Sequence, residues 1–303
     1  MTTAPPDQLS TAVVGLGLLG APIARHIMRA GHPVVGIDIN RDRTASAAAV
    51  GIPIAGSVAQ AAGEARVAVT VLPSVEALDA VCAQLVECGD PRVRFVVEAS
   101  TLPAEAKRRA SAALSAVGIT LLDCPIIGSS AQAYNRDVVV CASGPRAAVD
   151  EVRPVLDSFS RRVEYLGELG AGTNMKMIAN HLVTVHNAAT AEALTLAKRI
   201  GVDPGTAVRM LAGSGAGSQQ LELRGPLMAW GTYGPPTATV ATFVKDVELI
   251  TELATHAGAP TPLLHAAGML YRFAQGIGFA EFDSSAVHAI YAKLPVPHIK
   301  RTA

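Results

Sequence analysis

The stretch VVGLGLLGAPIARHIMRAGH, residues 13–32, decides the fold of the N-terminal half. A short β-branched run, TAVV at 11–14, leads into Gly15, Gly17 and Gly20 in G-x-G-x-x-G spacing, and a helical pattern follows with Pro22 in its first turn. The three glycines do different things. Gly15 allows a tight turn, Gly17 lets the backbone approach a pyrophosphate, and Gly20 permits close helix packing. Leu16, Leu18 and Leu19 complete the loop, and the helix N-terminus behind it favours negative charge. A glycine trio alone is equally compatible with an ordinary turn. The next strand, VVGI at 34–37, shifts that balance because it ends at Asp38, where a carboxylate can accept hydrogen bonds from an adenosine ribose. Asp38 has a simpler reading too, as a helix cap or turn residue. Together the two features point to dinucleotide binding, with NAD expected over NADP because a carboxylate repels a 2′-phosphate and is followed by Ile39, not by arginine. Arg41 and Arg43 stand close by, and either would give dual specificity if it reached the ribose.

Working outward, further β-branched or apolar runs occur at 67–72, 95–100 and 120–123, separated by alanine-rich segments such as 21–30 and 104–117. Alternating buried strands and helices predict an α/β fold with a doubly wound parallel sheet, the Rossmann architecture. Strand patterns at 138–143 and 162–167 flank a helical one at 147–158. Past Gly172 the pattern becomes helical throughout. One continuous helix is expected over about 173–200, stopped by Gly201 and Pro204, and its few charges imply that most of its circumference is buried. Helical segments follow at 205–212, 217–230, 239–257, 262–276 and 283–292. The expected division is a dinucleotide-binding domain at 1–169 and an all-helical substrate and oligomerisation domain at 170–303.

Composition narrows function further. The 303 residues are half hydrophobic, with 25 Lys+Arg against 25 Asp+Glu. No basic run exists to neutralise a phosphate backbone, so nucleic acid is not expected as a partner. MTTAPPDQLS lacks the parts of a signal peptide and no long apolar run is free of polar residues, so a cytoplasmic protein without a membrane segment is expected. Cys82, Cys88, Cys124 and Cys141 are scattered, and buried reduced thiols are the default. No His/Cys/Asp/Glu cluster has metal-ligand spacing; His181 and His186 read as packed polar residues.

A second stretch, GAGTNMKMIANH at 170–181, puts Lys176 into apolar surroundings. Lys176 and Asn180 are four residues apart on one helix face, and Thr184 and Asn187 continue the stripe. The simple reading is a lysine whose stem packs at a domain edge. The functional reading is a group in the cleft facing a nicotinamide, exchanging a proton with a hydroxyl during hydride transfer.

The chain resembles the β-hydroxyacid dehydrogenases over nearly its whole length. The resemblance rests on GLGLLGAPIARHI at 15–27, VLPS at 71–74, EAST at 98–101, LLDCPIIGSS at 121–130, GAGTNMKMIAN at 170–180 and FVKDVEL at 243–249. It implies that Leu72, Pro73, Thr101 and Lys245 lie at the cofactor and that Ile127, Gly128 and Ser129 lie at the substrate. It also implies that Lys176 is the general acid/base, that Asn180 holds the substrate, and that the protein is a homodimer or homotetramer. VHNAATAEA and DSSAV look nearest the L-threonate dehydrogenase branch.

One motif departs from the family's D-A-P-V-S-G-G. Here Asp123-Cys124-Pro125-Ile126-Ile127-Gly128-Ser129 puts an isoleucine where a serine helps bind the substrate carboxylate, while Gly128 and Ser129 still offer backbone N–H groups. The expected function is NAD(P)-dependent interconversion of a small β-hydroxy acid and its semialdehyde or ketone, with a Lys176 whose pKa is lowered by burial. The alternatives are an imine reductase, which needs no carboxylate clamp, and a cofactor-binding protein without turnover, such as a redox sensor or chromatin reader.

Overall fold

The computed structural model describes residues 8–88 and 92–293, so most of the N-terminal stretch MTTAPPDQLS lies outside the described residues. Contacts divide the chain into two compact units, Met1–Lys176 and Met177–Ala303.

In the first unit, β1 (Thr11–Val14), β2 (Val34–Ile37), β3 (Val67–Thr70), β4 (Phe95–Glu98) and β5 (Thr120–Asp123) form one sheet in the order β2-β1-β3-β4-β5. All four pairings are parallel, and β1 is flanked on both sides: Thr11 faces Val34 of one neighbour and Val67 of the other. Parallel neighbours require crossovers, supplied by α1 (Gly20–Arg29), α2 (Arg41–Ala49), α3 (Val58–Glu64), α4 (Val75–Glu87) and α5 (Ala104–Ser115). Every residue of β1, β3 and β4 is buried. Because side chains alternate along a strand, Val13, Val69, Val97 and Leu122 enter one apolar cluster with Ile23 and Ile27 of α1. Ala12, Ala68, Val96 and Leu121 enter the other, with Leu78 of α4 and Leu114 of α5. The sheet is therefore covered on both faces, as a doubly wound fold requires.

The runs expected at 67–72 and 95–100 stop at Thr70 and Glu98. Beyond them the backbone turns to side-chain partners: Leu72 N–H donates to Ser100 Oγ at 2.8 Å and Ser100 N–H to Glu98 Oε1 at 3.0 Å. A second sheet has three strands, β6 (Ile126–Ile127), β7 (Val139–Ala142) and β8 (Arg162–Tyr165), with α6 (Ser130–Tyr134) and α7 (Arg146–Phe159) between them. β6 pairs antiparallel with β7, and β7 parallel with β8.

Helix α8 (Ala171–Arg199) opens within the first unit and continues into the second. The second unit adds α9 (Pro204–Leu211), α10 (Gln219–Trp230), α11 (Val240–His256) and α12 (Pro262–Ala274). Its core includes Leu194, Met228, Val240 and Ile290, with Phe243 stacked on Tyr271 at a ring separation of 5.1 Å. Two expectations need correction here. The segment at 283–292 is not one helix but a 3-10 turn, Ser284–His288, followed by the short α13 (Ala289–Lys293). Asp283 enforces the break: its carboxylate caps Ser285 N–H at 2.9 Å and pairs with the buried Arg224 at 3.4 Å. Helix α8 is also less covered than its lack of charge suggested, since Ile178, Leu182 and Leu196 are 55%, 50% and 60% exposed. No helix among the described residues is long and apolar enough to cross a membrane.

Candidate active site

The glycine loop separates two kinds of requirement. Gly15 has φ +95°, and a Cβ there would lie 2.2 Å from the Val71 carbonyl oxygen; one on Gly20 would lie 1.8 Å from the Gly15 carbonyl oxygen. The protein's own packing demands both glycines. Gly17 is different, because the nearest atom to its Cβ position is Arg43 Nη1 at 3.7 Å. Nothing among the described residues needs Gly17 to be small, so the open cradle suits a group brought in from outside. Helix α1 also has no side-chain cap, whereas Asn40, Ser57 and Ser74 cap α2, α3 and α4. Amides at an uncapped helix N-terminus attract a phosphate. The loop thus fits a dinucleotide pyrophosphate at Leu16, Gly17, Leu18 and Leu19.

Asp38 serves the same loop. Its Oδ2 accepts from Leu16 N–H at 2.8 Å and its Oδ1 from Asn40 N–H at 2.8 Å, which leaves further lone pairs for ribose hydroxyls. Arg43 Nη1 stands 3.5 Å from Asp38 Oδ2, so Arg43 is the nearby arginine that reaches this carboxylate. A groove of about 560 Å³ beside them is lined by Gly17, Leu18, Arg25, Asn40, Arg43 and Tyr134. The loops carrying Leu72, Pro73 and Thr101 follow β3 and β4, joined by the Leu72–Ser100 hydrogen bond.

Lys176 lies one turn into α8, and the first turn of that helix is tied to the ends of β5 and β7. Thr173 N–H donates to Asp123 Oδ2 at 2.8 Å, Thr173 Oγ1 to Asp123 Oδ1 at 2.9 Å, and Gly172 N–H to Ser143 Oγ at 3.0 Å. A Cβ on Gly172 would stand 2.3 Å from the Cys141 carbonyl oxygen, so this turn presses directly on the strand. Lys176 itself is half-buried. Its charge is felt at Cys141, whose thiol burial nonetheless pushes up to about 11.

In the second unit, Asn180 Nδ2 donates to Asp246 Oδ2 at 2.7 Å, and Lys245 Nζ lies 3.7 Å from Asp246 Oδ1. Asp246 therefore orients both polar residues that the resemblance assigned here, a role that nothing in the local sequence signals. The remainder of the polar stripe is structural. Thr184 Oγ1 donates to the Asn180 carbonyl at 2.7 Å, and Asn187 Nδ2 donates to Tyr271 Oη and the Ser284 carbonyl at 2.6 and 3.0 Å.

Ile127 is half-buried in β6. The backbone after it offers less than the sequence suggested, because Ser129 N–H donates to Gln132 Oε1 at 2.9 Å while Ser129 Oγ caps Gln132 N–H in return. This capping box commits Ser129 to α6. Gly128 has φ +147°, and a Cβ there would meet Val138 at 2.7 Å. Its being glycine is a packing requirement.

Cys82, Cys124 and Cys141 are buried, Cys88 is half-buried, and burial pushes the Cys82 thiol up to about 12. His181 is half-buried, while His186 is exposed, not packed. Among the described residues no group of three His, Cys, Asp or Glu side chains could hold a metal ion.

Two family profiles cover the chain. Residues 10–167 match the NAD binding domain of 6-phosphogluconate dehydrogenase, and residues 170–291 match the NAD-binding domain of NADP-dependent 3-hydroxyisobutyrate dehydrogenase. An L-threonate dehydrogenase from Cupriavidus necator is 32% identical, with 94% of this chain and 97% of the relative aligned. The crystal structure of a 3-hydroxyisobutyrate dehydrogenase from Salmonella typhimurium superposes with a TM-score of 0.86 at 30% identity, over 93% of this chain and 100% of that one. An imine reductase from a Pseudomonas species, 19% identical with a TM-score of 0.61 over 93% of this chain and 99% of that one, shares the fold.

Proposed function

Because this chain belongs to the β-hydroxyacid dehydrogenase family and shares its NAD(P)-dependent oxidoreduction of a β-hydroxy acid, we propose that Lys176 is the general acid/base of that reaction. The observation that carries this is the anchoring of the first turn of α8 by Asp123 and Ser143, which gives Lys176 a fixed position at the strand ends. When bound, the nicotinamide supplies the acceptor or donor of the hydride. Neutral Lys176 Nζ takes the hydroxyl proton in the oxidative direction and returns it in the reductive one. Asn180, its amide turned by Asp246, holds the substrate, and Lys245 is the further cation that the family resemblance assigns to the cofactor. Residues 1–169 serve the cofactor; residues 170–303 serve substrate and self-association.

NAD is the working cofactor in this reading. Asp38 favours a free 2′-hydroxyl, and its pairing with Arg43 softens the repulsion of a 2′-phosphate, so NADP is tolerated. A lower KM for NADP than for NAD would contradict this assignment. The exposed apolar side chains of α8, together with Met210 at 74% and Trp230 at 76% exposure, support a homodimer or homotetramer, which we place in the cytoplasm.

Ile127 sets the substrate's polar end. With the Ser129 amide committed to Gln132, a carboxylate next to Ile127 keeps the Gly128 N–H but has one oxygen short of a donor, at a cost of about 1–3 kcal/mol, so the pocket favours acids that are bulkier or less polar there. Ile127→Ser is therefore expected to raise kcat/KM for a short polar acid such as threonate relative to a longer apolar β-hydroxy acid. An unchanged ratio in a wild type that already prefers threonate removes this position from specificity. The same loss of the serine favours an imine reductase as the second reading.

A further inference from the structure

Lys107, on α5, is a fully buried lysine in a chain whose other cations are mostly solvated. Its ammonium donates to Asp123 Oδ1 at 2.7 Å and to the Ser100 carbonyl at 2.8 Å, and it lies 2.6 Å from Glu98 Oε2. Two of its N–H donors are used in these hydrogen bonds, and the contact with Glu98 is an ion pair. Burial works against its charge, but the attraction of Glu98 and Asp123 prevails and holds its pKa above the ordinary lysine value. The cluster carries one positive and two negative charges. The partial positive charge at the N-terminus of α8 offsets the excess, because Asp123 Oδ2 accepts Thr173 N–H.

A buried ion cluster is a poor source of stability, since desolvation consumes most of the Coulombic gain. What this one does is join parts. One arm runs from Lys107 through Asp123 to Thr173, three residues before Lys176. The other runs through Glu98 Oε1 to Ser100 N–H, and from Ser100 Oγ to Leu72 N–H. Those two loops carry the cofactor positions Leu72, Pro73 and Thr101.

We propose that Lys107 is a positioning residue for hydride transfer: through Asp123 and Glu98 it holds the first turn of the Lys176 helix in register with the two cofactor loops. The proposal rests on Lys176 being the acid/base.

Two variants test it beside Lys176→Met. Lys107→Met/Glu98→Gln removes one charge of each sign, leaving Asp123 with its helix N-terminus. Thr173→Val keeps the side-chain volume and cuts only the hydroxyl link to Asp123. The first is expected to lower kcat by roughly 10- to 100-fold, because misplacement of about 1 Å costs that much, while the KM values for cofactor and acid move only about threefold. Thr173→Val is expected to lower kcat severalfold with KM unchanged. If both variants keep wild-type kcat and lose only melting temperature, Lys107 is structural support and the proposal is overturned. If the double variant does not fold, wild-type kcat in Thr173→Val alone overturns it. Lys176→Met separates the two levels: wild-type kcat there defeats the acid/base reading and this proposal together. Loss of kcat in Lys176→Met alongside fully active network variants defeats positioning alone.

Discussion

Lys176→Met should lower kcat by roughly 10² to 10⁴, the range for removal of a positioned acid/base, and leave cofactor binding and melting temperature nearly unchanged. Methionine keeps most of the volume and the apolar contacts of the lysine stem, and Lys176 is only half-buried, so little packing is lost. The residues that anchor this turn, Gly172 and Thr173, bond through backbone and hydroxyl groups that the substitution does not touch. The loss should therefore fall on the chemical step. Direct titration with NADH and steady-state kinetics on the same preparation check both halves. A kcat within a fewfold of wild type would return Lys176 to a lysine whose stem merely packs.

The second large effect concerns the glycine loop, where two alanine substitutions should behave oppositely. Gly17→Ala adds a methyl whose nearest neighbour among the described residues, beyond the adjoining ones, is Arg43 Nη1 at 3.7 Å, so folding should be unaffected, yet the methyl fills the cradle where a pyrophosphate must approach. NADH affinity should fall on the order of 10- to 100-fold, or about 1.4–2.8 kcal/mol. Gly15→Ala instead forces an L side chain to φ +95° and 2.2 Å from a backbone oxygen, so it should lower the melting temperature or prevent folding. Calorimetric binding for Gly17→Ala and thermal melts for both variants are the measurements. Wild-type NADH affinity in Gly17→Ala would show that the cofactor does not pass over this glycine.

What the sequence made legible was local pattern. TAVV, VVGI and TLLD stand in the structure as the strands their composition predicts, because buried parallel strands show as short β-branched runs between helices. The order of the central helices was legible for the same reason. Ile126–Ile127 was not, since two residues carry no period and their strand exists only through pairing with Val139 and Val140. The capping box at Ser129 did have a signal, the serine followed three residues later by Gln132, and recognising it would have withdrawn the Ser129 amide from the substrate.

The site divides in the same way. Gly15, Gly17, Gly20 and Asp38 announce themselves through spacing along one strand–turn–helix unit. Asp246 does not, because its bond to Asn180 joins residues 66 positions apart. Lys107 was hidden more thoroughly: in sequence it is one cation before Arg108 and Arg109 on a helix, indistinguishable from a solvated face. Only the convergence of Glu98, Ser100 and Asp123 from two strand ends reveals its burial.

Hydride transfer at a hydroxyl carbon is the chemistry on which every residue role above depends. It is tested most directly by the initial rate of nicotinamide absorbance change in the wild-type protein. That rate is taken with NAD and NADP against a panel of β-hydroxy acids of increasing apolar length, and with the reduced cofactors against cyclic imines. Oxidation of at least one β-hydroxy acid is expected, with kcat/KM higher for NAD than for NADP and above that for any imine. Turnover of cyclic imines alone, with no β-hydroxy acid oxidised, would refute a carbon–oxygen centre for the reaction and, with it, the assigned role of Lys176.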